Sequence, residues 1–155
     1  MEIYTVSLLG SKKINRHYEI EAILEDIVKD IITSKGYVEF LVCREGEFDL
    51  IAASVIRRVK RRKGYKNCSL NLVLPYETEH FRNNEKSYLE YYDNVEILSK
   101  SDEKHIKEAF QMRNEYMVDS SDMVIFCVER NKGSAYQAKR YAETSRTEIV
   151  ELTAI

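Results

Sequence analysis

Residues 37–75, YVEFLVCREGEFDLIAASVIRRVKRRKGYKNCSLNLVLP, contain a complete strand–helix–strand pattern. Residues 37–43 and 69–74 are short and almost continuously apolar, which is typical of strands buried on both faces. Between them, apolar side chains recur at three- and four-residue steps from Phe48 to Val59, which predicts an amphipathic helix. Gly64 follows the helix and Pro75 ends the second strand. This order predicts two parallel strands joined by a crossover helix.

The same alternation extends to both ends of the chain. Further strands are predicted at residues 3–9, 95–98, 123–128 and 149–152, and further helices at residues 20–32, from about 102 to 117, and 135–144. A polar segment at residues 76–92 is predicted to contain one short helix. No repeat or linker interrupts the pattern, so residues 1–155 are predicted to form a single domain. The predicted fold class is α/β, a Rossmann-like three-layer sandwich with a mostly parallel sheet.

Composition narrows the functional classes. Lys and Arg total 24 against 26 Asp and Glu, so the net charge of −2 gives no general argument for a nucleic-acid partner. Five glycines and one proline, where average usage would give about 11 and 8, exclude disordered, collagen-like and Gly/Pro-rich β architectures. The sequence shows no signal peptide and no apolar run of membrane-spanning length, so we expect a cytoplasmic protein with no membrane association. The cysteines at positions 43, 68 and 127 are expected to be buried and reduced, and neither they nor the histidines have the spacing of metal ligands, so no metal site is predicted.

The glycines divide into two groups. Gly36 and Gly64 follow helices and are interpreted as helix stop signals, Gly36 in the C′ position. Gly10, Gly46 and Gly133 each follow a strand, at the edge of a parallel sheet where ligands bind. A glycine there lets the backbone approach a ligand, and the next helix offers free N–H groups to an anion. Each could be an ordinary turn, but together they favour a site for a phosphate-bearing or other anionic ligand.

Two charged side chains refine that hypothesis. Asp49 begins a helix, so it is either an N-terminal cap or a carboxylate that binds ribose hydroxyls or performs acid–base chemistry. Arg113 lies on an apolar helical stripe, where a guanidinium needs an anion. That anion is either an internal carboxylate, such as Asp119 or Asp122, or a ligand phosphate. Asp119 and Asp122 are interpreted mainly as capping or pairing residues.

Two further features suggest a different kind of partner. Residues 57–63, RRVKRRK, carry six positive charges at a helix end. They either complement the helix dipole or contact phosphates of a nucleic acid, and the first is favoured. Tyr88, Tyr91 and Tyr92 could stack on a base, but an interface or a half-buried surface is favoured.

Four motifs carry a resemblance to a known family. Gly46-x-Phe48-Asp49, the strand ending Leu74-Pro75-Tyr76, residues 113–122 (RNEYMVDSSD) and residues 133–135 (GSA) resemble, in order and spacing, signatures of the YpsA-like branch of the SLOG superfamily. The segment at 113–122 is the most specific. The resemblance covers almost the whole chain and implies a SLOG-type Rossmann-like domain of bacterial or phage origin. It further implies a nucleotide or nucleotide-derived (ADP-ribose-like) ligand and pairing into homodimers.

The sequence also departs from its relatives, which include Smf and the "lonely guy" phosphoribohydrolases. The phosphoribohydrolase signature is absent, and its catalytic Glu falls nearest Gln137 or Ala138, neither of which can act as a carboxylate. Glu47 stands where many YpsA-like chains have a second glycine, and it is expected to add negative charge beside the phosphate site.

Three hypotheses follow. The first is a ligand-binding module without a known cofactor, in which Ser11 and Gly46 offer backbone N–H groups, Asp49 takes ribose hydroxyls, and Arg113 or Asn114 orients the phosphate or base. The second is an enzyme that cleaves an N-glycosidic bond with Glu45, Glu47 or Asp49, although non-catalytic binding is favoured. The third is a nucleic-acid or protein interaction module. The predicted ligand-binding residues are Gly10, Ser11, Glu45, Gly46, Asp49, Arg113, Asn114, Gly133 and Ser134.

Overall fold

The computed structural model describes residues 2–99 and 105–154. Within them, the strands are β1 (Ile3–Gly10), β2 (Tyr37–Val42), β3 (Cys68–Leu74), β4 (Asn94–Ile97), β5 (Met123–Cys127) and β6 (Glu148–Glu151). The helices are α1 (His17–Ser34), α2 (Glu47–Lys63), α3 (Glu79–Asn83), α4 (Glu85–Tyr91), α5 (Ile106–Asp119) and α6 (Ser134–Glu143), followed by a 3₁₀ turn at Leu152–Ala154.

All six strands form one sheet in the order β4-β3-β2-β1-β5-β6. Every neighbouring pair is parallel, so the α/β class is confirmed and the sheet is parallel throughout its described strands. The chain builds outward from β1 to β4 and then continues on the other side of β1 with β5. The reversal lies between β1 and β5, and ligands of open parallel sheets bind at the carboxyl ends of the strands that flank such a point.

Helices cover both faces of the sheet and create two apolar cores. Helices α1 and α2 pack together on one face, and α5 and α6 pack together on the other. Strand β1 serves both cores, because Val6 and Leu8 point into the first and Leu9 into the second. This central strand therefore has both faces covered, which explains why its sequence is mostly apolar and why its Ser7 is 0% exposed.

Both acidic residues that were interpreted as capping or pairing groups bond within the chain, Asp122 to β1 and Asp119 to α6. Asp122 Oδ2 accepts a hydrogen bond from the Thr5 backbone N–H at 2.8 Å. Asp119 Oδ1 accepts one from the Tyr141 hydroxyl at 2.8 Å. Both contacts are remote from the carboxyl ends of the strands.

The segment at residues 76–92 differs from its prediction. It contains two short helices, α3 and α4, that meet at Asn84. Tyr88 and Tyr92 are 4% and 3% exposed and belong to the core, with the Tyr88 ring edge-on to Phe81 at 5.1 Å. The interpretation of these two tyrosines as a surface or interface is therefore wrong.

Helix ends follow the expectations only in part. Gly64 ends α2 in the left-handed conformation, with φ 64°, as expected of a stop signal. Gly36 follows the C-cap residue Lys35 of α1, in the predicted C′ position, but its backbone lies outside the left-handed region. The predicted start of the helix near residue 102 lies outside the described residues. Among the described helices, none has both the length and the apolar character needed to cross a bilayer.

Candidate functional site

A narrow crevice lies at the carboxyl ends of β1 and β2, against α5 and the start of α6. Six of the nine predicted ligand-binding residues line it, namely Gly10, Glu45, Asp49, Arg113, Asn114 and Ser134. Its cavity has a volume of about 20 Å³, which is room for about one water molecule. The structure therefore brings these six residues together, around a cavity too small for a nucleotide.

Arg113 is the centre of the crevice. Its side chain is 3% exposed and forms a bidentate ion pair with Glu45, with Nη2–Oε1 at 2.6 Å and Nη1–Oε2 at 3.0 Å. Nε donates to Asn114 Oδ1 at 3.0 Å, and Nη1 also donates to the Val73 carbonyl at 3.3 Å. Arg113 thus pairs with an internal carboxylate, as one of the two interpretations expected, but that carboxylate is Glu45 and neither Asp119 nor Asp122.

The surroundings of Arg113 keep it charged. Burial lowers the pKa of the guanidinium, but Cys43, Glu45 and Asp49 act in the opposite sense and raise it above its usual value. A permanent, buried cation in a fixed orientation results, with the planar fork that recognises carboxylates and phosphates.

Asp49 lies next to this pair, in the first turn of α2. Its Oδ2 accepts hydrogen bonds from the backbone N–H groups of Glu45 at 2.8 Å and Gly46 at 3.0 Å. Asp49 is therefore a capping residue, as one interpretation expected, and it fixes the loop that carries Glu45. Burial and then the charge of Glu45 raise the pKa of Asp49 to about 7, against the two N–H donors and Arg113. A carboxyl group that titrates near neutrality is suited to acid–base work.

The glycines of the crevice are required for internal packing. A Cβ on Gly10 would lie 2.6 Å from Phe48 Cβ and closer still to the ring. A Cβ on Gly46 would lie 2.6 Å from Lys12 Cα. These two glycines were predicted to let the backbone approach a ligand. The structure gives a different reason, because Gly10 packs closely against α2 and Gly46 packs closely against the loop that contains Lys12. Gly133 is different, because its φ of 96° requires glycine and nothing lies within 4 Å of its Cβ position.

Two predicted N–H donors are already used within the chain. The Ser11 N–H donates to the Cys127 carbonyl at 2.9 Å, and the Gly46 N–H donates to Asp49. The prediction that these groups face a ligand is wrong in this conformation. Ser11, Gly46 and Gly133 do not line the cavity.

The sequence analysis missed Lys12, an exposed lysine that lines the crevice. A signal for it existed, since Lys12 lies two residues after Gly10, in the loop that follows a strand of the binding edge. Lys12 is a second basic residue in the lining of the crevice, beside Arg113.

Glu47 does not have its expected position beside the anion. Its Oε1 accepts a hydrogen bond from the Ile14 N–H at 2.7 Å and lies 3.3 Å from His17 Nε2. These contacts lower the pKa of Glu47, the Ile14 N–H most strongly. Glu47 holds the loop after β1 and does not line the cavity.

The basic run at the end of α2 is largely paired within the chain. Arg58 forms ion pairs with Glu21 and Glu25 of α1 at 2.8 and 3.2 Å. Lys60 pairs with Asp93 at 2.9 Å, and Arg57 lies 4.0 Å above the Tyr91 ring. These contacts agree with a structural role and leave less free charge for nucleic acid than the count of six suggests.

The thiols are unreactive groups. Cys43, Cys68 and Cys127 are free and buried, as predicted. Burial raises the pKa of all three, to about 12 for Cys127. Within the described residues, no three His, Cys, Asp or Glu side chains are placed to hold a metal ion.

A larger groove of about 610 Å³ lies on the other side of the loop after β5, between α6 and the end of β6. Among its lining residues, Lys139 pairs with Glu151 at 3.0 Å, and Glu151 Oε2 accepts a hydrogen bond from the Thr153 hydroxyl at 2.6 Å. None of the predicted ligand-binding residues lines it. We assign the chemistry to the crevice because the buried cation and the perturbed carboxyl group lie there.

Comparisons with known proteins agree with the fold. The YpsA model, which describes the YspA SLOG family, matches residues 8–155. The fold is similar to DNA processing protein A from Helicobacter pylori, which binds single-stranded DNA, with TM-score 0.66 and 17% identity over 96% of this chain and 64% of that one. It is also similar to DprA from Streptococcus pneumoniae, with TM-score 0.63 and 12% identity over 96% of this chain and 50% of that one. The chain thus spans between half and two thirds of these proteins, and no curated protein matches it.

Proposed function

Because this chain belongs to the YspA SLOG family, we propose that it binds a nucleotide or a nucleotide-derived, ADP-ribose-like ligand in the crevice around Arg113. The observation that carries the proposal is the buried guanidinium, held in place by Asn114 and the Val73 carbonyl at the bottom of a cleft. A buried cation needs an anion, and in this structure Glu45 supplies it from a loop at the edge of the crevice. An arginine fixed at a ligand-binding edge is suited to bidentate recognition of a phosphate.

The neighbouring groups support a ligand with both phosphate and ribose. The hydrogen bonds of Asp49 from the backbone go to Oδ2, which leaves Oδ1 to accept from a ribose hydroxyl. Ser134 begins α6, whose first-turn N–H groups are suited to a second phosphate. Lys12 adds positive charge at the opening.

Calorimetric titration with AMP, ADP, ADP-ribose and adenosine tests the proposal. We expect binding of at least one phosphorylated compound, weakened about tenfold or more by Arg113→Gln, since a charge-assisted hydrogen bond contributes roughly 1.5–3 kcal/mol. Arg140→Gln is the control, because Arg140 is exposed and lies outside the crevice. Absence of binding across the panel, or equal binding by Arg113→Gln and wild type, would refute the proposal.

A second candidate function is cleavage of an N-glycosidic bond, favoured by the pKa of Asp49 near 7. Glu47 and Glu45 are less suitable, because the first supports a loop and the second is bound to Arg113. Water would add at the anomeric carbon as the bond to the base breaks, and the protonated Asp49 carboxyl group would donate its proton to the leaving base. The resulting Asp49 carboxylate would then take up the proton that the added water loses. Chromatographic detection of free base from each nucleotide tests this activity, and release of base that is unchanged in Asp49→Asn would exclude Asp49 as the acid.

The nucleic-acid alternative and the homodimer are tested separately. The Helicobacter protein's binding of single-stranded DNA makes a fluorescent oligonucleotide the natural probe. Salt-sensitive binding that is lost in Arg61→Gln would favour the basic helix end as an interaction surface, and absence of binding would favour the small-molecule site. Light scattering of the purified chain tests the homodimer, and a monomeric mass at high concentration would refute it.

A further inference from the structure

Arg113 has almost no hydrogen-bonding capacity left for a ligand. Of the five N–H groups of a guanidinium, four have partners in Asn114, Val73 and the two oxygens of Glu45. Two of these bonds are fixed by the fold, because the Val73 carbonyl belongs to β3 and Asn114 follows Arg113 in α5. Only Glu45 is carried by a loop.

The two members of the ion pair differ in their freedom to move. The Arg113 side chain is 3% exposed, whereas that of Glu45 is 26% exposed. Beyond Arg113, the carboxylate of Glu45 receives only a long bond of 3.3 Å from the Arg44 N–H among the described residues. Rotation of the Glu45 side chain towards solvent therefore requires no change of the backbone, which Asp49 holds through the Glu45 N–H.

The crevice is too small for a nucleotide while Glu45 stays in place. With Glu45 in place the cavity is about 20 Å³, whereas ligand pockets are roughly 300–1,000 Å³. A phosphate that approached the intact ion pair would also meet the carboxylates of Glu45 and Asp49 before the buried guanidinium. Exchange of one anion for another on Arg113 avoids both the steric and the electrostatic problem.

We infer that Glu45 is a displaceable internal ligand of Arg113, and that the crevice selects ligands whose phosphate or carboxylate group replaces the Glu45 carboxylate. The inference rests on the proposed function and specifies the ligand class of that site. Uncharged nucleosides are poor ligands, because they cannot replace an anion on the guanidinium. A ligand must therefore replace both hydrogen bonds of Glu45 to the guanidinium, which requires an anion with bidentate geometry.

Titration with inorganic phosphate and with acetate tests the inference without any nucleotide. We expect Glu45→Gln to bind both anions about tenfold to hundredfold more tightly than wild type, because the competing charge-assisted bonds are removed. The double variant Glu45→Gln/Arg113→Gln is expected to lose this gain. Glu129→Gln is the matched control, since Glu129 is also an acid of the binding edge but contacts Asn15 at 3.2 Å.

The outcomes separate this inference from the proposed function. Equal anion affinity in Glu45→Gln and wild type, or an equal gain in Glu129→Gln, would overturn the role of Glu45 even if nucleotides bind. Tighter binding of anions by Glu45→Gln with no nucleotide binding in any variant would support the role of Glu45 and refute the proposed function. If thermal unfolding shows that Glu45→Gln does not fold, Glu45→Asp retains the charge but shortens its reach, and an unchanged anion affinity in that variant would overturn the inference.

Discussion

Replacement of Gly10 by alanine tests why a glycine ends β1. The added Cβ would lie 2.6 Å from Phe48 Cβ and nearer to the ring carbons, whereas carbon atoms prefer about 3.5–4.0 Å. The Phe48 ring is 0% exposed, so it has no solvent-filled space to move into. The N-terminus of α2 is also held, because the Glu47 N–H donates to the Lys12 carbonyl at 2.9 Å. We expect Gly10→Ala to lower the free energy of unfolding by about 3 kcal/mol, at the upper end for overpacking.

Urea denaturation followed by circular dichroism measures this loss. Gly36→Ala is the control, since nothing lies within 4 Å of its Cβ position and its φ is outside the left-handed region. Phe48→Ala provides a second check: if Phe48 is what Gly10→Ala collides with, the double variant will be more stable than the sum of the single effects predicts, by about 2 kcal/mol. A wild-type urea midpoint for Gly10→Ala would refute the packing argument and restore ligand approach as the reason for the glycine.

Two further predictions concern titratable groups. The pKa of Asp49 is about 7 in the folded chain against 3.8 for an ordinary Asp, so between these values the folded state holds a proton that the unfolded state has lost. The free energy of unfolding of wild type should therefore fall, relative to that of Asp49→Asn, by up to about 4 kcal/mol as pH rises from about 4 to 7. Urea denaturation at several pH values measures this difference, and parallel pH profiles of the two proteins would contradict the raised pKa. The second prediction concerns Cys43, Cys68 and Cys127, which are buried and whose pKa values are raised by burial. A chromogenic disulfide reagent should label none of them in the native protein at pH 8 and all three in urea. Rapid labelling of the native protein would contradict their burial.

The sequence was sufficient for the architecture because each long element has one clear period. The strand predicted at residues 37–43 is β2 at Tyr37–Val42, and the helix predicted between Phe48 and Gly64 is α2 at Glu47–Lys63. The segment at residues 76–92 resisted prediction, because a helix of five residues such as α3 contains little more than one turn. Periodicity cannot resolve two such helices, and it cannot show that their tyrosines fill the core.

The grouping of residues at the crevice was predictable, but their contacts with one another were not. The rule that parallel strands end at one edge predicted that the loops after β1 and β2 lie together, as they do in the structure. The expected partners of Arg113 were sequence neighbours, whereas Glu45 lies 68 positions away. The same rule, applied to side chains, would have found the pair. Glu45 follows β2, and the loops that follow the strands all lie at this edge, close to the end of the apolar helical stripe that carries Arg113.

The charges in the crevice restrict which ligands can bind there more than the glycines do. Glu47, the expected source of repulsion, is directed to Ile14 and His17, and the negative charge in the crevice comes from Glu45 and Asp49. With Asp49 protonated, Glu45 and Arg113 neutralise each other; with Asp49 ionised, these three groups carry one net negative charge. A phosphate is therefore disfavoured at Arg113 while Glu45 stays there, and is favoured once Glu45 turns outward and Asp49 keeps its proton. Ligand binding and proton uptake by Asp49 should consequently be linked. As pH falls from 8 to 6, the phosphate affinity of Glu45→Gln should increase more than the phosphate affinity of the double variant Glu45→Gln/Asp49→Asn. Equal pH profiles of the two variants would exclude the linkage.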